Sequence, residues 1–233
     1  MSYISENLAL VNEEIKRVAS KFGRNHEDIK LVAVTKTYGA YIINEAISCG
    51  VTDIGENRVQ EVMEKYDSVK PVRWHIIGHL QKNKVKYIID KAELIHSVDS
   101  FELAKEIDRQ AKKIGKVQNV LLEVNVSGEE SKFGVPPEAC EDLCRQISED
   151  FNNVKIQGLM TVAPYTQDEG LLRKVFEGLR DLASEISSKE IEKVDMTELS
   201  MGMTNDYPLA ISCGATIVRV GTGIFGKRDY TNR

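Results

Sequence analysis

A regular alternation of short apolar strands and amphipathic helices runs through this chain, and it restricts the fold more than any other feature. LVAVTK at residues 31–36 is too short for a helix and nearly continuous in branched apolar residues, as a strand buried on both faces should be. Helical AYIINEAISCG then leads to TDIGEN, RVQEVMEKY to VRWHIIG, KNKVKYIID to LIHSVD, and FELAKEIDRQAKKIG to NVLLEVNVS. The second half continues with PPEACEDLCRQISED into VKIQGLMTV, an amphipathic stretch from about Glu169 to Ser188 into MTELSMG, and NDYPLAISCG into TIVRVGTG. Strands alternating with helices imply parallel pairing through right-handed crossovers, and eight such units in 233 residues suit a closed (β/α)8 barrel. A doubly wound open sheet is the runner-up.

Ahead of the first strand, apolar Ile4, Leu8, Val11, Ile15, Val18 and Phe22 form a helical stripe that Gly23 ends, so an additional N-terminal helix is expected. No Pro/Gly/Ser-rich linker divides the chain, and residues 1–233 read as one domain. The echo between AISCGVTDIGE and AISCGATIVRVG needs no more than two helix-to-strand units, each stopped by a glycine.

The net charge of −5 supplies no basic field for a phosphate backbone, which argues against a nucleic-acid partner. Charges interrupt every apolar run of the N-terminus and the longest runs are strand length, so neither a signal peptide nor a membrane span is expected. Cys49, Cys140, Cys144 and Cys213 are too few and scattered for a disulfide scaffold, and read as reduced thiols of a cytoplasmic protein. Cys140 and Cys144 share a helix face, but a metal site would need two more ligands nearby, so no metal is expected.

GTGIFG at 221–226 matches the G-x-G-x-x-G dinucleotide fingerprint, which requires a following helix, a further strand and an acid about 20 residues on. Seven residues follow Gly226, too few for any of these. The local physics survives: Gly221, Thr222 and Gly223 follow the last strand and can offer backbone N–H groups to an anion. The preceding strand ends in a similar loop, LSMGMTND, with Ser200 and Gly202, and barrel phosphate sites are often built after strands 7 and 8.

Lys36 closes the first strand and is expected at the mouth of the barrel, either as an amine activated toward an aldehyde or ketone or as a solvent-facing strand-end lysine. Arg219, two residues before the glycine loop, lies on a buried strand, where a guanidinium is held by carboxylates or aimed at a ligand. Lysine, arginine and phosphate loop on one rim ask for a ligand with an aldehyde, a ring and a phosphate. Pyridoxal 5′-phosphate (PLP) has all three.

VTKT, IGENRVQE, WHIIGHLQKNK, SVDS, LLEVNVSGEESKFGV, IQGLMTV and ELSMGMTNDYPLAISCGATIVRVGTGIFGKRDY together strongly resemble the YggS/PROSC family of pyridoxal phosphate homeostasis proteins, in order and over nearly the whole chain. The resemblance implies a single barrel similar to the N-terminal domain of alanine racemase, with Lys36 carrying PLP as a Schiff base and Arg219 facing the pyridine nitrogen. Ser200, Gly202, Gly221 and Thr222 would hold the phosphate, Asn57 would lie near the phenolic oxygen, and Met160 near the ring face. The family often has Pro where His79 stands here, and Lys132 matches a family lysine of underived role, expected as a mobile loop charge.

Arg219 cannot accept a proton, so it would leave the ring nitrogen unprotonated and the electron sink weak. Racemisation remains compatible with such an arginine, but the racemases take a second acid/base, a tyrosine, from an additional domain across a dimer. This sequence ends directly after the barrel, and Tyr38, Cys49 and His75 are more simply packing or rim residues. The pocket should then be open to water, which suits a carrier of a reactive aldehyde. The expectation is a non-catalytic, monomeric PLP-binding protein that buffers the cofactor or supplies it to PLP-dependent apo-enzymes. A racemase of shortened architecture is the alternative, and a class I aldolase or sugar-phosphate isomerase a third reading that leaves Arg219 unused.

Overall fold

In the computed structural model, which describes residues 2–226, the eight expected strands close into a parallel barrel in chain order, with β1 paired to β8. The strands are β1 (Lys30–Val34), β2 (Asp53–Glu56), β3 (Arg73–Ile76), β4 (Ala92–Val98), β5 (Gln118–Glu123), β6 (Val154–Met160), β7 (Val194–Met203) and β8 (Ile217–Val220). The helices are α1 (Tyr3–Lys21), α2 (Ala40–Ser48), α3 (Val59–Lys65), α4 (Phe101–Lys113), α5 (Pro137–Asp150), α6 (Glu169–Ser187), α7 (Tyr207–Ser212) and a single turn, α8 (Thr222–Phe225). The open-sheet runner-up is ruled out by the β1–β8 pairing, in which Val32 sits opposite Arg219 and Ala33 opposite Val220.

Alternation along each strand divides the buried residues in two. One set faces the helices and forms the large outer core. The other faces the axis, where Val32, Leu94, Leu121, Met160 and Ile217 pack together with Val162 against them. The axis is not purely apolar: Asp53, His75, His96, Ser200 and Arg219 are also buried there, each through hydrogen bonds to its neighbours.

Two local expectations differ from the structure. The KNKVKYIID segment forms a 3-10 helix over Lys82–Tyr87 instead of an α-helix. In 3-10 geometry side chains three apart eclipse, and this puts Val85 and Ile88, both fully buried, on one side. Lys36 does not lie in β1, which ends at Val34, but in the turn that follows. The KRDY residues of the terminal motif, 227–230, lie outside the described residues.

α1 packs along α7 and α8, and Asn7 donates to the Ile224 carbonyl at 3.0 Å. The first helix thereby supports the loop after the last strand. Among the described residues no helix is long and apolar enough to cross a membrane, and the cysteines form no disulfide.

Candidate functional site

Lys36 sits on a turn clamped from three sides. The Thr35 hydroxyl donates to Glu56 Oε1 at 2.7 Å, and Lys65 Nζ reaches the Thr35 carbonyl, Glu56 and Glu61 at 3.2, 2.9 and 2.7 Å. Glu61 in turn accepts the Thr37 N–H at 2.5 Å, holding that residue in a left-handed conformation (φ 72°) that a β-branched residue avoids. Burial raises the Glu56 carboxyl above the ordinary range against the opposing pull of Lys65 and Thr35. On the third side the Tyr38 ring packs on Phe225, centroids 4.7 Å apart, and its hydroxyl meets the Gly226 carbonyl at 3.4 Å. Lys36 is thus carried beside the glycine loop, and a Cβ built on Gly221 would stand 3.4 Å from that of Val34.

The glycine loop and the loop after β7 meet through Thr204, whose hydroxyl accepts the Gly221 and Gly223 N–H groups at 3.3 and 3.4 Å. Gly202 is obligatory where it stands: its φ is +89°, and a Cβ there would lie 2.6 Å from that of Ala210 and 2.9 Å from the Tyr207 Cα. Close approach of β7 to α7 is what brings the two loops to one corner of the rim.

Arg219 is buried at the mouth end of β8, and donates to Ser200 Oγ at 2.5 Å and to the Thr161 carbonyl at 2.9 Å. Burial lowers its guanidinium to about 10, opposed by Asp206 and Glu123, so it stays charged at neutral pH. Glu123, at the end of β5, is raised to about 7 by burial and by Asp99, with Arg219 acting the other way. Asp206 is raised by burial while accepting the Met203 N–H.

The predicted residues fall as follows. Lys36, Gly202, Gly221, Thr222 and Arg219 come together around the ends of β1, β7 and β8. Met160 belongs to the axial cluster that floors the mouth. Asn57, after β2, is half-buried on the same rim next to the turn after β1, and lines a cleft of about 840 Å³ shared with Thr37, Tyr38, Arg58, Glu61 and Lys84. That cleft flanks the mouth and does not include Arg219 or the glycine loop. The Ser200 hydroxyl is turned inward, bound by His96 and Arg219.

Of the residues considered as racemase substitutes, Tyr38 is engaged by Gly226, Cys49 caps the C-terminal end of α2, which returns to the start of β2, and His75 lies inside the barrel between Asp53 and His96. His79 stacks on Phe133 and faces Asp99 at 3.4 Å, while Lys132 pairs with Glu129 within its loop. Sequence reasoning missed His96, Asp53, Thr204, Glu123 and the Glu56–Lys65–Glu61 group. Period-2 alternation through LIHSVD and TDIGEN could have turned His96 and Asp53 inward, and Glu61 and Lys65 are an i,i+4 pair within α3, whereas the remaining contacts carry no local signal.

The residues present suit a phosphorylated pyridine aldehyde. A primary amine, a donor-only cation and two adjoining glycine loops share one rim, and the Arg219 guanidinium has no acceptor for a pyridinium N–H. Fold and site together define a (β/α)8 barrel of the alanine racemase type: the family model of the alanine racemase N-terminal domain matches residues 7–229. A crystal structure of a protein from Bifidobacterium adolescentis, 38% identical, covers 96% of this chain and 94% of that one with a TM-score of 0.91. PipY of Synechococcus elongatus, solved with PLP bound, is 34% identical over 91% of this chain and all of that one, with a TM-score of 0.79. The pyridoxal phosphate homeostasis protein of Aquifex aeolicus is 45% identical over 227 residues, 97% of this chain and 98% of that one. The chain belongs to the family of pyridoxal phosphate homeostasis proteins.

Proposed function

We propose that this protein binds PLP reversibly through Lys36 and holds it as a store or supply for other proteins, without turning over a substrate. The observation that carries the reading is the meeting of Lys36, Arg219 and the two glycine loops on one rim, in a chain similar over 91% of its length to PipY, which was solved with PLP bound. When bound, PLP supplies an aldehyde for an amine to condense with and a ring that can accept electrons.

Lys36 supplies the amine, presented by the clamped turn. Arg219 would donate to the ring nitrogen and, unable to accept a hydrogen bond from a pyridinium N–H, would favour the unprotonated ring. Gly202, Gly221 and Thr222 would frame the phosphate, Asn57 and Met160 would lie toward the ring, and Ser200, whose hydroxyl accepts from Arg219, would link the β7 loop to that arginine. We further infer a cytoplasmic monomer whose partners are PLP and PLP-dependent apo-enzymes, a reading supported by thiols that form no disulfide among the described residues.

Protein saturated with PLP should be yellow, lose its visible absorbance on borohydride reduction and gain mass at Lys36. Lys36→Ala should abolish that covalent trapping, and trapping that persists would move the anchor to another lysine. Loaded protein should activate an apo-enzyme faster than an equal concentration of free PLP; transfer no faster than spontaneous release reduces the protein to a passive store.

Racemisation is favoured as a second reading by one observation, the buried Glu123 with its carboxyl near neutrality beside Arg219, a suitable acid/base. Solvent deuterium entering the α-position of alanine, and lost in Lys36→Ala, would support it.

A further inference from the structure

A line of polar side chains crosses the barrel axis from its N-terminal end to the mouth. Arg73 Nε and Nη2 hold Asp53 at 2.7 and 2.6 Å. Asp53 Oδ1 lies 2.9 Å from His75 Nε2, His75 Nδ1 lies 2.8 Å from His96 Nε2, and His96 Nδ1 lies 2.8 Å from Ser200 Oγ. Ser200 then accepts Arg219 Nη1 at 2.5 Å. β2, β3, β4, β7 and β8 contribute in turn, and from Asp53 to Arg219 every member is buried.

The two ends set the direction of every bond. At the lower end Asp53 can only accept: burial alone would raise its carboxyl, but the bonds from His75, Arg73 and Thr52 hold it well below the usual range. At the upper end a guanidinium can only donate. His75 therefore donates from Nε2 and accepts at Nδ1, His96 does the same, and the Ser200 hydroxyl donates to His96 while receiving Arg219. Both imidazoles are neutral in this arrangement. The opposite order would charge His75 in the core and leave the Ser200 proton without an acceptor in the chain. Burial, with the charges of Arg219 and Lys30, also lowers the His96 imidazole well below its ordinary range. The groups run head to tail and do not converge, and no cluster among the described residues suits a metal ion.

We propose that Asp53, His75 and His96 are positioning residues for Arg219: their one-way chain holds the Ser200 hydroxyl as a neutral acceptor, which keeps the guanidinium turned to the cofactor's ring nitrogen. The competitors are Asp206 and Glu123, the two acids whose charges act on Arg219, and a long side chain released from Ser200 would turn toward them at the mouth. A hydroxyl fixes the arginine without neutralising it, so its full charge remains for the ligand. The inference rests on the PLP reading above.

The first test needs no cofactor. Nitrogen-15 NMR of the imidazoles in the PLP-free protein should show His75 and His96 neutral and protonated at Nε2; a proton on Nδ1 of either ring, or an imidazolium, overturns the chain. In the second, His96→Phe should weaken PLP affinity about tenfold, the effect of one lost buried hydrogen-bond link, and shift the visible band of the bound cofactor. His96→Gln, which keeps an acceptor for Ser200, should restore part of both. Asp53→Asn preserves shape but can present an amide N–H to His75, and should reverse the tautomers and weaken PLP in parallel even if His96→Phe does not fold. Folded variants with changed tautomers but unchanged PLP affinity and spectrum overturn the positioning role. Wild-type protein that takes up no PLP would overturn the cofactor reading itself, an outcome distinct from coloured variants of unaltered affinity.

Discussion

Glu123 ends β5 buried, and burial together with the nearby charge of Asp99, opposed by Arg219, moves its carboxyl from the ordinary 4.5 to about 7. A carboxyl raised in the folded state favours folding while protonated. Its contribution is complete below pH 4.5 and is lost as the pH rises through about 7. The PLP-free protein should therefore lose up to roughly 3 kcal/mol between those limits relative to Glu123→Gln, whose stability should be flatter over the same range. Denaturant unfolding at several pH values measures this, and parallel curves would remove Glu123 from the titrating groups. At this scale Lys36 and Arg219 stood out in the sequence as candidates, a lysine just past a strand and an arginine within one. Glu123 and His96 did not, since a glutamate or histidine in a strand becomes significant only when its neighbours across the barrel are known.

Among the elements, the turn after β1 depends most on its surroundings. Glu56 is fully buried and Lys65 nearly so, and Lys65 is the cation that compensates it. Lys65→Met should leave an uncompensated acid in the core and cost about 3 kcal/mol in denaturant unfolding. Adding Glu56→Gln should recover much of that loss; a double variant as unstable as the single one would show that the pair is not the cause. The single variant should also bind PLP more weakly, because Lys65 bridges Thr35 and Glu61 on either side of Lys36. Element identity was largely legible, since periods of 2 and 3.6 residues are local properties. The 3-10 helix at Lys82–Tyr87 was not, because Val85 and Ile88 satisfy either helical period and only the space between β3 and β4 decides.

For the molecule as a whole, α1 is a strut that braces α7 and α8 against the barrel. Ile4, Leu8, Val11, Ile15 and Val18 are all buried, and Val11 would stand 3.7 Å from a Cβ on Gly223. Leu8→Ala should cost about 2–4 kcal/mol in thermal or denaturant unfolding, and a loss below 1 kcal/mol would mean that α1 is only loosely attached. Sedimentation of the PLP-free and loaded protein at a single-chain mass would support the monomer, and a stable dimer would sink it.

Alternating apolar patterns over successive short segments were enough to establish strands, helices, their order and the barrel, because each pattern is written within one element. The glycine loops and the two cations could be picked out as candidates, since residue type and place next to a strand are local features. Which side chains meet inside the barrel was a different matter. Ser200 and His96 are 104 positions apart, His75 and Asp53 are 22 apart, and their contact depends on strand register and stagger around a closed sheet. A shift of one residue in any strand would turn its polar member from the axis to the helices. No local stretch of sequence encodes that choice; it is made by the simultaneous packing of all eight strands.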